Sequence, residues 1–209
     1  MMPTVLQEEL AVSHLLSVLR DKRTSAAEFV ARTETLATLL IARALDLAPS
    51  EEAVVDTPLE PAHIRRIIER DVVGVPILRA GMGMERAFLR LIPSAPVHHI
   101  GVRRDEATFE PNYYYDSLPE DLSGKTAIIL DPMLATGGSA IFTAKRLSAL
   151  NPDRIVFCGI IGAPEGVRRL TSEFPDMAVF LGALDERLDE NAYIRPGLGD
   201  AGDRHYGTT

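Results

Sequence analysis

TAIILDPMLATGGSA, residues 126–140, decides the fold. Its first part, Thr126–Leu130, is a short apolar run with the β-branched residues that a buried strand favours. Asp131 ends that run. Gly137 and Gly138 then free the backbone for a bend, and a helical pattern follows over roughly 139–150. Outward from this unit the same alternation recurs. VVGVPIL (72–78) is an apolar run ended by Arg79 and a glycine turn, with a helical stretch near 84–91. VHHIGV (97–102), RIVFCGII (154–161) and MAVFLGAL (177–184) are further strands, and a helix is expected around 165–173. Strands without clean apolar–polar alternation, spaced by helices, imply a parallel sheet covered on both faces. The predicted architecture is an open α/β sheet with an N-terminal helical extension.

Upstream, residues 10–47 read as helical. Ser25 and Glu28 have capping-box spacing ahead of the apolar positions Phe29, Val30, Leu36, Leu39 and Leu40. Pro49, Pro58 and Pro61 then break the chain. The piece AVVDTPLEPAHI fits a strand, a turn and a second strand, and equally a lead into a helix through IRRIIER.

Composition narrows the class. With 209 residues and 46% apolar content, the chain can bury a substantial core as one domain. Helices and arm are expected over about 1–70, a ligand-binding core over 71–185 and a C-terminal loop over 186–209. The net charge of −8 argues against a nucleic-acid binder, which needs a basic face. No run of 18 apolar residues exists, so no membrane span is expected. The N-terminus lacks the basic region of a signal peptide, and a single cysteine, Cys158, makes no internal disulfide. Cys158 lies within an apolar run and reads as a small buried hydrophobe. A soluble protein of a reducing cytoplasm is the expectation.

In open α/β sheets, ligands bind beyond the carboxyl ends of the strands. The residues after each run are therefore the candidates. After Leu130, the glycine bend and the start of the next helix offer consecutive N–H groups, an anion cradle to which Thr136 and Ser139 add hydroxyls. This is no Walker A loop, which requires a lysine. Asp131, at the strand end, suits a sugar diol beside that phosphate. Taken alone, the stretch is as readily a capping turn. Arg79, followed by Gly81 and Gly83, suits a phosphate or diphosphate; an isolated arginine is more often paired on the surface. Arg103 and Arg104 open a charged loop, and YYYDSLPEDL after it reads as a mobile surface segment. IRPGLGDAGDRHYGT (194–208) is too rich in glycine for a regular element, yet Tyr193, Ile194 and Tyr206 flank it and suggest that it is tied down. Its backbone groups suit the amide-like edge of a flat base. His98, His99 and His205 match no zinc spacing and read as structural, with one of the first two expected to face the core.

At DPMLATGGS the sequence resembles the PRPP-binding motif of phosphoribosyltransferases (PRPP, phosphoribosyl pyrophosphate) in the Asp-Pro form of the uracil phosphoribosyltransferase family. VPILRAGMGM, RRDEATFEP and PGLGDAGDRHYGT reinforce the resemblance in order and spacing, across most of residues 72–209. The resemblance implies a type I-like fold with a β-arm. It implies PRPP contacts from Arg79, Arg104, Asp131, Pro132, Met133, Leu134, Ala135, Thr136, Gly137, Gly138, Ser139 and Asp200. Uracil would meet Ile194, Gly199, Asp200 and Ala201. The catalytic set would be Arg79, Arg104, Asp131 and Asp200, with no protein metal site. Mg²⁺ would arrive on the PRPP oxygens, GTP is an implied activator, and a homo-oligomer built through the arm and N-terminal helices is implied.

The sequence departs from the family pattern in places. Arg103 stands where an aromatic is common, Ala192 where glycine is usual, and Arg195 where an apolar residue is common; the RLDEN run also differs slightly. The implied chemistry is displacement at the anomeric carbon by a uracil nitrogen, without a covalent enzyme intermediate. Three rival readings remain at this level: a transferase for another base, an RNA-binding nucleotide sensor on the same fold, and a non-catalytic homologue.

Overall fold

The computed structural model describes residues 2–104 and 111–208, the side chains of 103, 104 and 111 excepted. In chain order it comprises β1 (Thr4–Val5), α1 (Leu10–Arg20), α2 (Ala26–Ala44), β2 (Ser50–Asp56), β3 (Pro61–Ile67), β4 (Val72–Leu78), α3 (Met82–Leu91), β5 (Ile100–Arg104) and β6 (Pro111–Asp116). There follow β7 (Thr126–Leu130), β8 (Met133–Leu134), α4 (Gly138–Ser148), β9 (Arg154–Gly162), α5 (Pro164–Glu173), β10 (Ala178–Leu184), β11 (Arg187–Leu188), β12 (Ile194–Arg195) and α6 (Ala201–Tyr206).

The main sheet runs β1-β10-β9-β7-β4-β5-β6, with β8 added beside β9. All its pairings are parallel except β5 with β6, at the edge. Period-two alternation is hidden in the sequence because both faces are buried, but it sorts the residues all the same. Ile128, Leu130, Val156 and Cys158 face the cluster under α1, α2 and α3. Ala127, Ile129 and Phe157 face the cluster that includes Ile141, Leu147, Val167 and Leu170 of α4 and α5. Helix α2 begins at Ser25, whose Oγ accepts from Glu28 N at 3.3 Å. It buries Phe29, Thr33, Leu36, Ala37, Leu40, Ile41 and Ala44, one continuous stripe.

Of the two readings of residues 53–64, the strand–turn–strand holds. β2 and β3 form an antiparallel hairpin that joins no other strand among the described residues, with Glu51 opposite Arg66 and ion-paired to it at 2.7 Å. IRRIIER supplies the end of β3 and a short 3₁₀ turn at Glu69–Asp71 rather than a helix.

Three expectations are corrected. The stretch that begins YYYD is not a loose surface segment: PNYYYD is strand β6, as its aromatic content favours, and the Tyr114 ring covers Gly101, where a Cβ would stand 2.5 Å from it. Nor is 194–208 without regular structure, since it contains β12 and α6. Neither His98 nor His99 lies in the core. Both are half-buried, His98 Nδ1 against Ser117 O at 2.7 Å and His99 Nε2 against Glu85 Oε2 at 2.9 Å. Among the described residues no helix is long and apolar enough to cross a membrane.

Candidate active site

From β4 the chain moves outward to β5, and from β7 it moves the other way to β9. The strand order therefore reverses between β4 and β7, the place where an open α/β sheet forms its ligand crevice. Arg79 follows β4 and Asp131 follows β7, so the two flank this point. The turn after Arg79 is pressed onto the end of β7. A Cβ on Gly81 would stand 2.3 Å from Leu130 O, so only glycine fits. The Leu78–Arg79 and Arg195–Pro196 peptide bonds are cis.

Asp131 is half-buried. Its N–H donates to Cys158 O at 3.2 Å, and its Oδ1 accepts from Met133 N at 3.3 Å. Burial raises its carboxyl from the ordinary 3.8 to about 7, against the opposing pull of the Met133 N–H. Behind it, Pro132 O accepts from Ile160 N and Ile161 N, and Met133–Leu134 pair with Ile161–Gly162 as β8. Ala135 and Thr136 then lead to Gly137, whose φ of +79° is the left-handed conformation that turns the chain into α4. Gly138 and Ser139 form the first turn of α4, where the N-cap Gly137 has no side chain to offer and Thr136 Oγ1 accepts from Gly138 N at 3.5 Å. The back of the bend rests on α5: a Cβ on Gly166 would stand 2.3 Å from Ala135 O and 2.8 Å from Leu134 O. Cys158, buried under this bend, has its thiol pushed well up by desolvation and offers no nucleophile.

The C-terminal residues fold back over the same edge. Ile194 and Ala201 are buried, while Gly199, at φ +80°, and Asp200 are exposed between them. Asp200 caps α6, its Oδ1 accepting from Asp203 N at 2.9 Å. Tyr206 of α6 donates its hydroxyl to Arg79 O at 3.3 Å, and Asp203 Oδ1 lies 3.9 Å from Arg79 Nη2. The structure thus brings Arg79, the bend behind Asp131 and the 194–201 turn to one edge of the sheet. Arg104 closes β5 by its backbone; its side chain, like residues 105–110, lies outside the described part.

Several residues that place this turn escaped the sequence reading. Asp185, directly after β10, is buried, forms a double contact with Arg20 at 2.5 and 2.8 Å, and accepts from Gly197 N at 2.8 Å. Arg20 also donates to Gly197 O at 2.8 Å. Arg204 donates to Leu19 O, Leu198 O and Asp21 O, with its guanidinium 4.4 Å from the Phe29 ring centroid. Glu165 Oε1 accepts from Leu188 N at 3.2 Å, which joins α5 to β11. The signal for Asp185 was present: it ends an apolar run just as Asp131 does. Among the described residues, no group of three or more His, Cys, Asp or Glu side chains could hold a metal ion.

A parallel sheet whose switch point carries a strand-end carboxylate and a lysine-free glycine bend opening a helix defines the phosphoribosyltransferase class. The comparisons carry this further. The family model for uracil phosphoribosyltransferase matches residues 5–208. A uracil phosphoribosyltransferase of a Roseiflexus species is 47% identical across the whole of both chains. That of Wolinella succinogenes is 42% identical over 94% of this chain and 95% of its own length. A solved structure of a protein from Aquifex aeolicus superposes with a TM-score of 0.93 at 37% identity, covering 100% of this chain and 99% of that one. The chain belongs to the uracil phosphoribosyltransferase family.

Proposed function

We propose that the protein transfers the 5-phosphoribosyl group of PRPP to uracil, giving UMP and diphosphate. The observation that carries this reading is the convergence of Arg79, the Asp131 bend and the 194–201 turn at one switch point. Each part has the chemistry that its share of the substrates requires. The N–H groups from Ala135 to Ser139, at the glycine-capped start of α4, receive the 5′-phosphate, with Pro132, Met133 and Leu134 shaping the approach. Asp131 accepts from the ribose hydroxyls. Arg79 and Arg104 neutralise the diphosphate, and a strand-end guanidinium suits a phosphate pair bidentately. Ile194, Gly199 and Ala201 present backbone groups to uracil, while Asp200 stands between base and PRPP.

The base nitrogen forms its bond to the anomeric carbon as the carbon–oxygen bond to diphosphate breaks. The electron pair leaves with the diphosphate, and the base loses its N–H proton. The protein's contribution is to hold both reactants in line and to stabilise charge on the departing group. Mg²⁺ bound to the PRPP oxygens supplies further neutralisation there. Isolated carboxylates such as Asp131 and Asp200 suit an ion that keeps most of its water.

The exposed β2–β3 hairpin, with Val54 and Leu59 at 57% and 94% exposure, is the arm through which a homo-oligomer would form. GTP is proposed as an activator, and the cytoplasm as the place of action.

Incubation with PRPP, Mg²⁺ and labelled uracil tests the reading, with guanine, adenine and orotate as competitors. UMP formation is expected; formation of GMP, AMP or OMP in its place would overturn it.

A further inference from the structure

Tyr206 touches Arg79 twice. Its hydroxyl donates to Arg79 O at 3.3 Å, and the Arg79 guanidinium lies 5.6 Å from the centroid of its ring. Tyr206 is 40% exposed, so filling the core is not its main work. It is nevertheless fixed. His205 stands edge-on to it at 4.7 Å, and the His205 ring packs on Gly83 in the first turn of α3, where a Cβ would come within 3.0 Å. Arg204, next to it in sequence, anchors α6 to the chain after α1. Among the described residues the Arg79 guanidinium makes no hydrogen bond. Its nearest carboxylate, Asp203, is 3.9 Å away, too far to consume a donor.

We infer that Tyr206 is a positioning residue for Arg79. Its ring sets the plane of the guanidinium and its hydroxyl holds the Arg79 carbonyl, so every N–H of the fork stays free for the diphosphate of PRPP. An aromatic face suits this work, since it attracts a guanidinium through its π cloud while leaving the in-plane donors unspent. Because α6 begins at Asp200, the same short helix ties the base turn to the arginine that meets the leaving group. The inference rests on the functional reading above.

Steady-state kinetics of Tyr206→Leu and Tyr206→Phe test it. Losing both contacts should raise the KM for PRPP about tenfold in Tyr206→Leu, and losing the hydroxyl alone about threefold in Tyr206→Phe. The KM for uracil should hold in both. In an Arg79→Ala background, Tyr206→Leu should add nothing, since the ring acts through the arginine. An unchanged KM for PRPP, an equal rise for both substrates, or a full additional loss in the Arg79→Ala background would overturn the inference. Should Tyr206→Leu fail to fold, Tyr206→Phe carries the test. Wild-type protein that forms no UMP would defeat the functional reading instead. Calorimetric PRPP binding by wild type and Tyr206→Phe would then decide the inference by itself: weaker binding by the variant supports it, and equal binding or none by either overturns it.

Discussion

The bend behind β7 and the turn before α6 meet at one site but are held by opposite means. The bend is fixed by main chain: Pro132 O accepts from Ile160 N and Ile161 N of β9, Leu134 O from Ala163 N just beyond it, and the Gly166 backbone of α5 presses against it. The turn is fixed by side chains drawn from far away in sequence, with Arg20 and Asp185 gripping the two sides of Gly197 and Arg204 reaching back to Leu19 and Asp21. A site held by main chain follows the sheet and survives most side-chain changes. A site held by side chains can be released by one.

Asp185→Ala is the sharpest way to break this contrast. It strands the Arg20 guanidinium and the Gly197 N–H. Removing one partner of a buried ion pair costs about 3 kcal/mol or more. Asp185 is nearly inaccessible, with a side-chain exposure of 3%, and Arg20, at 27%, recovers part of its hydration and places the cost at the low end. Urea unfolding should show that loss. At the same time the KM for uracil should rise by about tenfold or more, ahead of any change for PRPP. Equal loss of both substrates would mean that bend and turn are one mechanical unit.

Asp131→Asn probes the bend. Burial holds the Asp131 carboxyl at about 7, above its ordinary 3.8, so ionising it in the folded protein is unfavourable. The penalty is absent below about pH 4, grows between the two values and is complete above pH 7. Asparagine carries no such charge. The full shift corresponds to about 4 kcal/mol, and the solvent that still reaches the half-buried carboxyl reduces it, so the variant should be more stable than wild type by on the order of 2–3 kcal/mol at pH 8, with the difference vanishing at pH 4. Thermal or urea unfolding at the two pH values checks this. Turnover at pH 8 should fall steeply, because asparagine offers the ribose hydroxyls one neutral carbonyl oxygen in place of a carboxylate. A variant no more stable at pH 8 would show that the bend already solvates the charge.

The same contrast explains how much the sequence disclosed. Strands β4, β7, β9 and β10 were legible because a strand buried on both faces must be a continuous apolar run. Asp131, Arg79 and the glycine bend were legible because strand ends and glycine turns are local signals. The Ser25 cap of α2 was legible for the same reason. β6 was misread because a charged stretch of sequence separates it from its partner, β5, and its three consecutive exposed tyrosines give no burial pattern. α6 was misread because it is only six residues long, Ala201–Tyr206, and lies between two left-handed glycines, Gly199 and Gly207. Its stability comes from Arg204 contacts that span about 180 residues. No local pattern encodes a bond between Arg204 and Leu19, or between Arg20 and Asp185.

The smallest effect is expected where the sequence departs from its family beside the base turn. Ala192 sits at φ +59° in the turn joining β11 to β12. This turn is wound on Asp189: its O accepts from Ala192 N, its Oδ1 from Asn191 N and Tyr193 N, and its Oδ2 from Arg195 Nε at 2.7 Å. Arg195, the other departure, thus has its partner within the same turn. So many bonds on one carboxylate force position 192 into the left-handed region, where a Cβ costs on the order of 1–2 kcal/mol. Ala192→Gly removes that strain but adds backbone freedom to the unfolded chain, worth about 0.5–1 kcal/mol in the other direction. The net should be a gain of about 0.5 kcal/mol, read as a small rise in the urea midpoint with the slope unchanged. The KM for uracil should stay at the wild-type value, because Asp189 and Arg195 continue to define the turn. A loosened uracil site in Ala192→Gly would show that the alanine itself stiffens the approach to Ile194, and that the turn depends on a local backbone constraint as well as on its distant side-chain ties.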